Sequence, residues 1–423
     1  NHTSIKRRSL LTSACALVFG WAELTNTHTA FGRTMDYETE LFKWSIDVCA
    51  YGIDIDPRAY IPIKTLSTDN WLKDADGNLV ALFYTGFGAA WGSGATPMGG
   101  PSDKGARLPK TLRLTYYDYL EDRFYQLDAE LPQQRIYELF KQKTVSKKLA
   151  YGKTTPRFTS LRIGVAPQGN IMLWLWGVGN QVELGTYQAV QVMKDQTPQS
   201  YNATLPGGRS FTLDENRDRA LASGRAKPET VARIKAGWRP SPNWYMRDIR
   251  VKYPWRFRLT GAAARMVELE SFQGNAESQS VGAWEMHLYQ STSASRAVPE
   301  TAKFWFVDAT GQRHHLWLSF YKRERALSEA DLSEVRAAFE KMFGKRTIED
   351  NEPWPLEKDM ATVEVNVGED FKTFTATLVK GDVRLPLVVG RTQYFALNPH
   401  AHWPKQETPE PDVRQLFLSG PPA

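Results

Sequence analysis

The feature that most constrains the fold of this chain is an internal repeat. The segment LPKTLRLTYYDYLEDR at 108–123 aligns without a gap with VPETAKFWFVDATGQR at 298–313, an offset of 190 residues. Apolar and aromatic positions correspond between the two segments, and a stretch with a helical pattern follows each of them. A pattern repeated at this distance predicts two related domains.

Both halves also contain a predicted hairpin. Gly179-Asn180 and Gly381-Asp382 each stand between two strand-like runs, and Gly followed by Asn or Asp is typical of a tight turn. Alternation in TLRLTYYDYL and KTFTATLVKG predicts strands with one solvated face. We therefore expect a β-rich α+β fold with two related domains, each a mainly antiparallel sheet with a packed helix.

The predicted domain boundaries follow from the repeat. Residues 36–195 form β-rich domain 1, residues 245–400 form β-rich domain 2, and a basic linker with a short helix connects them at 196–244. Residues 401–423 form a Pro-rich tail. A length of 423 residues with 42% hydrophobic residues is sufficient for two cores.

The first 35 residues resemble an export signal with its lead-in. A basic run at 6–8 precedes an apolar run at 10–22 that ends in small residues, which is the layout of a secretory signal. This predicts a periplasmic protein that contacts a membrane only through its N-terminal segment. A lipoprotein anchor at Cys15 and an ordinary amphipathic helix are the alternatives.

The charge and the cysteine content exclude several classes of protein. The net charge is +6, from 53 Lys and Arg against 47 Asp and Glu, and a nucleic-acid-binding protein usually has a stronger, clustered excess. The two cysteines, Cys15 and Cys49, are too few for a disulfide framework or a Cys-rich metal site. We expect no nucleic-acid partner.

The glycine-rich loop at 86–105 lacks the features of a nucleotide site. Ala89, Ala90 and Trp91 follow its first glycines, so the third glycine of a dinucleotide fingerprint is missing. Gly100 stands where a phosphate-binding loop needs lysine. The sequence therefore predicts a strand connection that exposes one aromatic side chain, Trp91, and binds no cofactor.

Other candidates for chemistry have plainer interpretations. Glu121 and Asp122 are interpreted as solvated turn residues, and Trp174 and Trp176 share one strand face where they pack or stack on a sugar. The stretch DADGN at 74–78 is interpreted as a hairpin turn, because its glycine is misplaced for a calcium loop.

The histidines do not assemble into a predicted metal site. His314 and His315 are adjacent on a predicted strand and so point to opposite faces, while His400 and His402 lack a third ligand. No nucleophile, base and orienting group can be assembled from the sequence. We therefore expect a non-enzymatic protein without a metal, and a hydrolase with dispersed catalytic residues stays open as an alternative.

The order of LPKTLRLTYYDYLEDRFYQLDAELPQQRIYELF and then RIGVAPQGNIMLWLWG resembles an uncharacterised family of bacterial envelope proteins. The two-domain exported layout also resembles immunity proteins paired with type VI secretion effectors, especially antibacterial lipases. That resemblance implies a protein that binds its cognate toxin in the periplasm and blocks the toxin's active site or lid. The shared motifs are structural, so no binding residue is transferred from the family.

The predicted partner-binding residues are Trp91, Trp238, Arg239 and Trp244, which we place around a cleft between the two domains. Trp and Arg are the residue types that most often dominate interface energies. In the alternative interpretation, Trp238 and Trp244 hold the linker against domain 2. An envelope or carbohydrate-binding module is the alternative to a toxin-binding function.

Overall fold

The structure, a computed structural model, describes residues 36–51, 63–65, 70–83, 89–93, 104–145, 154–197, 200, 218, 228–283, 285–322 and 329–397. The predicted export signal, the Pro-rich tail, His400, His402, and parts of the glycine-rich loop and the linker lie outside these residues. Predictions made for those segments stay predictions.

The first half contains two short helices and a series of strands. In chain order these are α1 (Asp36–Thr39), β1 (Leu41–Phe42), β2 (Ser45–Ala50), β3 (Ile63–Thr65), β4 (Trp71–Lys73), β5 (Leu79–Leu82), β6 (Ala89–Ala90), β7 (Ala106–Arg107), β8 (Thr111–Asp118), β9 (Arg123–Glu130), α2 (Gln133–Phe140), β10 (Lys143–Val145), β11 (Thr154–Pro156), β12 (Ser160–Val165), β13 (Asn170–Gly177), β14 (Asn180–Gln188) and β15 (Val190–Val192).

The described part of the connecting segment contains short helices. It contains α3 (Pro228–Lys235), α4 (Asn243–Met246) and the 3-10 helix η1 (Asp248–Arg250). Helix α3 is the short helix that the sequence predicts. Its proline lies in the first turn, where a missing N–H costs nothing, and Gly237 with φ +89° follows its end.

The second half repeats this arrangement. Its elements are β16 (Tyr253–Gly261), β17 (Ala263–Gln273), β18 (Ser278–Val281), α5 (Met286–Ser291), β19 (Ser295–Arg296), β20 (Pro299–Asp308), β21 (Arg313–Ser319), α6 (Glu329–Phe343), η2 (Ile348–Asp350), η3 (Glu357–Asp359), β22 (Ala361–Val367), β23 (Phe374–Lys380), β24 (Val383–Leu387) and β25 (Thr392–Ala396).

The two halves have the same strand order. In the first half β15-β9-β8-β4-β5 are neighbours, and in the second half β25-β21-β20-β17-β18 are neighbours in the matching order. In the first half β2 also pairs in parallel with β12, and β12, β13 and β14 then pair antiparallel in that order. The second half repeats this pattern, because β16 pairs in parallel with β22, and β22, β23 and β24 then pair antiparallel. The predicted β-rich α+β fold of two related, mainly antiparallel units is confirmed.

Each half contains two main sheets that pack against each other, where the sequence predicts one, and the described first half also contains the two-stranded sheets β1-β7 and β10-β11. In the first half, Ile163 of β12 and Leu114 of β8 belong to one buried cluster, to which α2 adds Leu139. In the second half, Val363 of β22 and Phe304 of β20 belong to the equivalent cluster, together with α6 side chains. Each large apolar side chain buried in this way stabilises the fold by about 1.5–3 kcal/mol.

One sheet crosses from the first half to the second. It has ten strands in the order β25-β21-β20-β17-β18-β14-β13-β12-β2-β6, and β14 pairs with β18 at a single position, Gln181 opposite Ser278. Because the ladder is so short at this point, side-chain contacts must supply most of the cohesion between the halves.

Candidate binding cavity between the two halves

A buried ion pair and a backbone hydrogen bond connect the halves beside the short ladder. Arg157 Nη2 donates to Glu285 Oε1 at 2.5 Å, and the two side chains are only 5% and 1% exposed. Lys252 pairs with Glu277 at 2.6 Å, and Glu277 also accepts the backbone N–H of Glu183 in β14. Charges this buried are tolerated only when paired, so the contacts fix how the halves meet.

The described part of the glycine-rich loop belongs to this junction. Arg162 Nη1 and Gln181 Nε2 donate to the carbonyl oxygen of Gly92 at 2.8 and 3.1 Å. Gly92 has φ +70°, and a Cβ at this position would lie 2.0 Å from the Cβ of Ala276 in the second half. Glycine is therefore required at Gly92 for the close approach of the two halves.

The side chain of Trp91 is buried, so the prediction that it is exposed is wrong. It is 9% exposed, and its ring centroid lies 5.0 Å from that of Trp174 and 4.9 Å from that of Tyr245. The loop turns back toward the sheet at Gly92, and α4 of the connecting segment packs on the indole. Coverage by a segment some 150 residues later is invisible in the local sequence.

A cavity of about 450 Å³ lies between the halves. Side chains from the first half, the connecting segment and the second half all line it, and many of them are aromatic: Trp91, Trp176, Trp244, Tyr245, Phe272 and Trp317. Concave sites of this size at the junction of two folded units are the usual location of ligand sites.

Several cations lie over the aromatic walls. The guanidinium carbon of Arg162 lies 4.9 Å from the ring centroid of Trp176, and Lys303 Nζ lies 5.5 Å from that of Phe272. Each cation also has an acidic partner: Arg162 pairs with Asp47 at 3.0 Å and Lys303 pairs with Glu270 at 3.0 Å. Burial raises the pKa of Asp47, against the lowering effect of Arg162.

Glu300 differs from the other charged residues of the cavity. Its side chain has no hydrogen bond and no ion pair within the part of the chain that the structure describes. Desolvation raises the pKa of its carboxyl group from 4.5 to about 8. In contrast, Glu277 also lines the cavity, and although burial acts to raise its pKa, the Lys252 ammonium group holds it below its ordinary value.

The four predicted partner-binding residues separate into two groups. Trp91 and Trp244 both line the cavity, whereas Trp238 and Arg239 are not among the described lining residues. Trp244 is 8% exposed, and the guanidinium carbon of Arg336 in α6 lies 5.3 Å from its ring centroid. This contact agrees with the alternative interpretation in which Trp244 holds the linker against the second half.

Trp238 and Arg239 make contacts within the connecting segment. The guanidinium carbon of Arg233 lies 3.9 Å from the ring centroid of Trp238. Arg239 Nη1 donates to the carbonyl oxygens of Trp238 at 3.0 Å and of Ile234 at 3.4 Å. These contacts cap the C-terminal end of α3, where a positive charge also interacts favourably with the helix dipole.

Glu121 is buried, so its interpretation as a solvated turn residue is wrong. It is 2% exposed and accepts the backbone N–H of Gln168 and the hydroxyl of Tyr125, each at 2.5 Å. Asp118 is buried nearby, where desolvation and the charge of Glu121 raise its pKa to about 7. The turn is covered by the loop that leads into β13, which the local polar pattern does not reveal.

The predicted hairpin turn at 74–78 and the predicted opposite faces of His314 and His315 are confirmed. The segment DADGN connects the paired strands β4 and β5. His314 is buried with Nδ1 2.7 Å from the Tyr394 hydroxyl, while the neighbouring His315 stacks with its ring centroid 4.7 Å from that of Trp305 on the other face. Within the described residues, no group of three His, Cys, Asp or Glu side chains could hold a metal ion.

The sequence reasoning missed Glu300 and Lys303, which stand in the repeated motif itself. Alternation in TAKFWFVD indicates that Lys303 and Trp305 face away from the core of the second half. It does not indicate that the first half approaches one end of this outer face and forms a cavity there.

The fold and the site together define a class: a duplicated β-rich protein with a polar and aromatic cavity where its two halves meet. Residues 25–226 match the family model described as "Protein of unknown function (DUF2931)", which covers the first half and part of the linker. No curated protein and no solved structure matches the chain. Across the described residues, no helix combines the length and the apolar character needed to cross a membrane.

Proposed function

We propose that this protein is a non-enzymatic, periplasmic immunity-type protein that binds and neutralises a secreted antibacterial effector, a lipase delivered by a type VI system. The partner binds at the cavity between the halves. The observation that carries the proposal is the cavity itself, with its aromatic walls and its polar groups. Buried aromatic and arginine side chains of this kind dominate the energies of known interfaces.

A preformed site also favours tight binding. The ion pair of Arg157 with Glu285 and the hydrogen bond from Gln181 Nε2 to the carbonyl oxygen of Ala276 hold the two halves in one arrangement before a partner arrives. A partner therefore loses little free energy in ordering the site. This reasoning predicts that most of the binding energy depends on the side chains that line the cavity.

The experiment that tests this proposal is coexpression with the product of the neighbouring gene. The full-length chain should restore growth of cells that express the effector and should copurify with it. Trp91 is unsuitable for substitution because it is buried, so Trp317→Ala is the appropriate change in the cavity wall. Phe395→Ala is the matched control, since Phe395 is 53% exposed and is not among the described lining residues.

We expect Trp317→Ala to weaken both protection and copurification, while Phe395→Ala leaves them unchanged. Circular dichroism of both variants confirms that the fold is retained. If the wild type binds no product of a neighbouring gene, the immunity function is wrong. If the Trp317 variant protects fully, the cavity is not the binding site.

One observation favours a second candidate function, a hydrolase that acts on envelope polysaccharide. Glu277 and Glu300 line the same cavity, and their pKa values are shifted in opposite directions. Such a separation is typical of acid and base pairs in glycoside hydrolysis. Release of reducing sugar from purified envelope polysaccharide, lost in Glu300→Gln, would support this function over toxin binding.

A further inference from the structure

We infer that the cavity takes a cationic side chain, arginine or lysine, from the bound protein partner, and that Glu300 is the group that pairs with it. The inference assumes the proposed function for the identity of the partner. It adds the chemistry that the partner must present.

The distribution of charge within the cavity favours a cationic ligand. Arg162 pairs with Asp47, Lys303 with Glu270, and Glu277 with Lys252. These pairs balance, and Glu300 remains as the ionisable lining residue without a counterion in the described part of the chain. A ligand that complements this site therefore carries positive charge.

The aromatic rings that line the cavity with Glu300 also favour a cationic ligand. The next residue, Thr301, lies opposite Phe272 in β17, and Lys303 lies opposite Trp317 in β21. The faces of such rings attract ammonium and guanidinium groups. The wall already accommodates this chain's own cations, because Arg391 lies 5.7 Å from the Trp317 ring centroid and Lys303 lies near Phe272.

Other ligand chemistries fit the cavity less well. An anion would be repelled once Glu300 ionises, and a neutral sugar would leave the carboxylate without a counterion. A guanidinium group provides both charge and several parallel N–H donors, so it can replace the water that the carboxylate loses.

The expected pH dependence comes from Glu300 itself, because desolvation alone shifts its pKa. The other charged residues that line the cavity are Arg162, Glu277 and Lys303, and Lys303 pairs with Glu270. Glu300 is protonated at neutral pH, because desolvation raises its pKa to about 8. Pairing with a cation requires loss of that proton, so the affinity should rise with pH from 6 to about 8.5.

The test uses the full-length chain and a small probe. N-acetyl-argininamide is titrated by calorimetry against its neutral isostere, N-acetyl-citrullinamide. We expect the cationic probe to bind and the neutral one to bind at least about tenfold more weakly. Glu300→Gln should abolish this difference, whereas Glu130→Gln, a change at a residue that is 73% exposed, should not.

Glu300→Gln removes a charge without a counterion, so we expect it to fold at least as well as the wild type. If thermal melts show otherwise, Glu300→Asp keeps the charge and should retain the preference for the cationic probe. Equal binding of both probes by the wild type would overturn the inference, and so would an unchanged preference in Glu300→Gln or tighter binding of a neutral sugar.

The same variants distinguish this inference from the proposed function. If the effector copurifies equally well with wild type and Glu300→Gln, the immunity function stands and the inference is wrong. If the cationic probe binds through Glu300 but no effector is found, the cation site stands and the immunity function is wrong.

Discussion

Removing one member of the Arg157–Glu285 ion pair should destabilise the whole molecule. Arg157 Nη2 and Glu285 Oε1 lie 2.5 Å apart, and the two side chains are 5% and 1% exposed. Burial lowers the pKa of Arg157, against the raising effect of Glu285, which shows how strongly the guanidinium depends on its partner. A single neutralisation leaves the other charge buried without its counterion, which costs about 3–5 kcal/mol in comparable sites.

The measurement is urea unfolding monitored by tryptophan fluorescence and circular dichroism at pH 7. We expect Glu285→Gln and Arg157→Met each to lower the free energy of unfolding by about 3–5 kcal/mol. The double variant should recover a large part of this loss, since it removes both buried charges. Because this pair connects the halves, the single variants should also lose cooperativity between the two units.

An exposed pair provides the matched control. Arg247 and Glu349 lie 3.4 Å apart and are 61% and 63% exposed. Arg247→Met should cost at most about 1 kcal/mol, because solvent screens such pairs. If Glu285→Gln is within about 1 kcal/mol of the wild type, the reasoning that buried charge holds the halves together is refuted.

Two further predictions concern the junction and the buried carboxylates. Gly92→Ala should lower the free energy of unfolding in urea by about 1–3 kcal/mol more than Gly77→Ala does. Both glycines have positive φ, but only Gly92 approaches the Cβ of Ala276. Equal losses in the two variants would contradict the close contact as the cause. Stability of the wild type should fall as pH rises from about 4 to 7. Burial, and then the charge of Glu121, raise the pKa of Asp118 from 3.8 to about 7 in the folded state. As pH rises, Asp118 therefore loses its proton in the unfolded state first, which favours unfolding. Asp118→Asn should reduce that slope in unfolding measured from pH 4 to 8, and the raised pKa of Glu300 should account for part of the remainder, because it acts in the same direction. An unchanged slope would show that Asp118 does not contribute to it.

The sequence alone determines the repeat and the strands that belong to it. The offset of 190 residues reappears in the structure, where β9 begins at Arg123 and β21 begins at Arg313. The hairpin glycines, Gly179 with φ +75° and Gly381 with φ +56°, occupy the turns assigned to them. These features can be predicted from the sequence because alternation and turn chemistry depend on only a few neighbouring residues.

Only the tertiary structure decides which polar and aromatic residues are covered. Trp91 and Glu121 occur in local patterns that are typical of exposed loops, yet segments distant in the chain bury both. The same holds for the site, since Glu300 lines its cavity together with Trp91 and Trp176 of the first half. Burial and charge environment depend on contacts between residues far apart in sequence, and a periodic pattern carries information about its own strand alone.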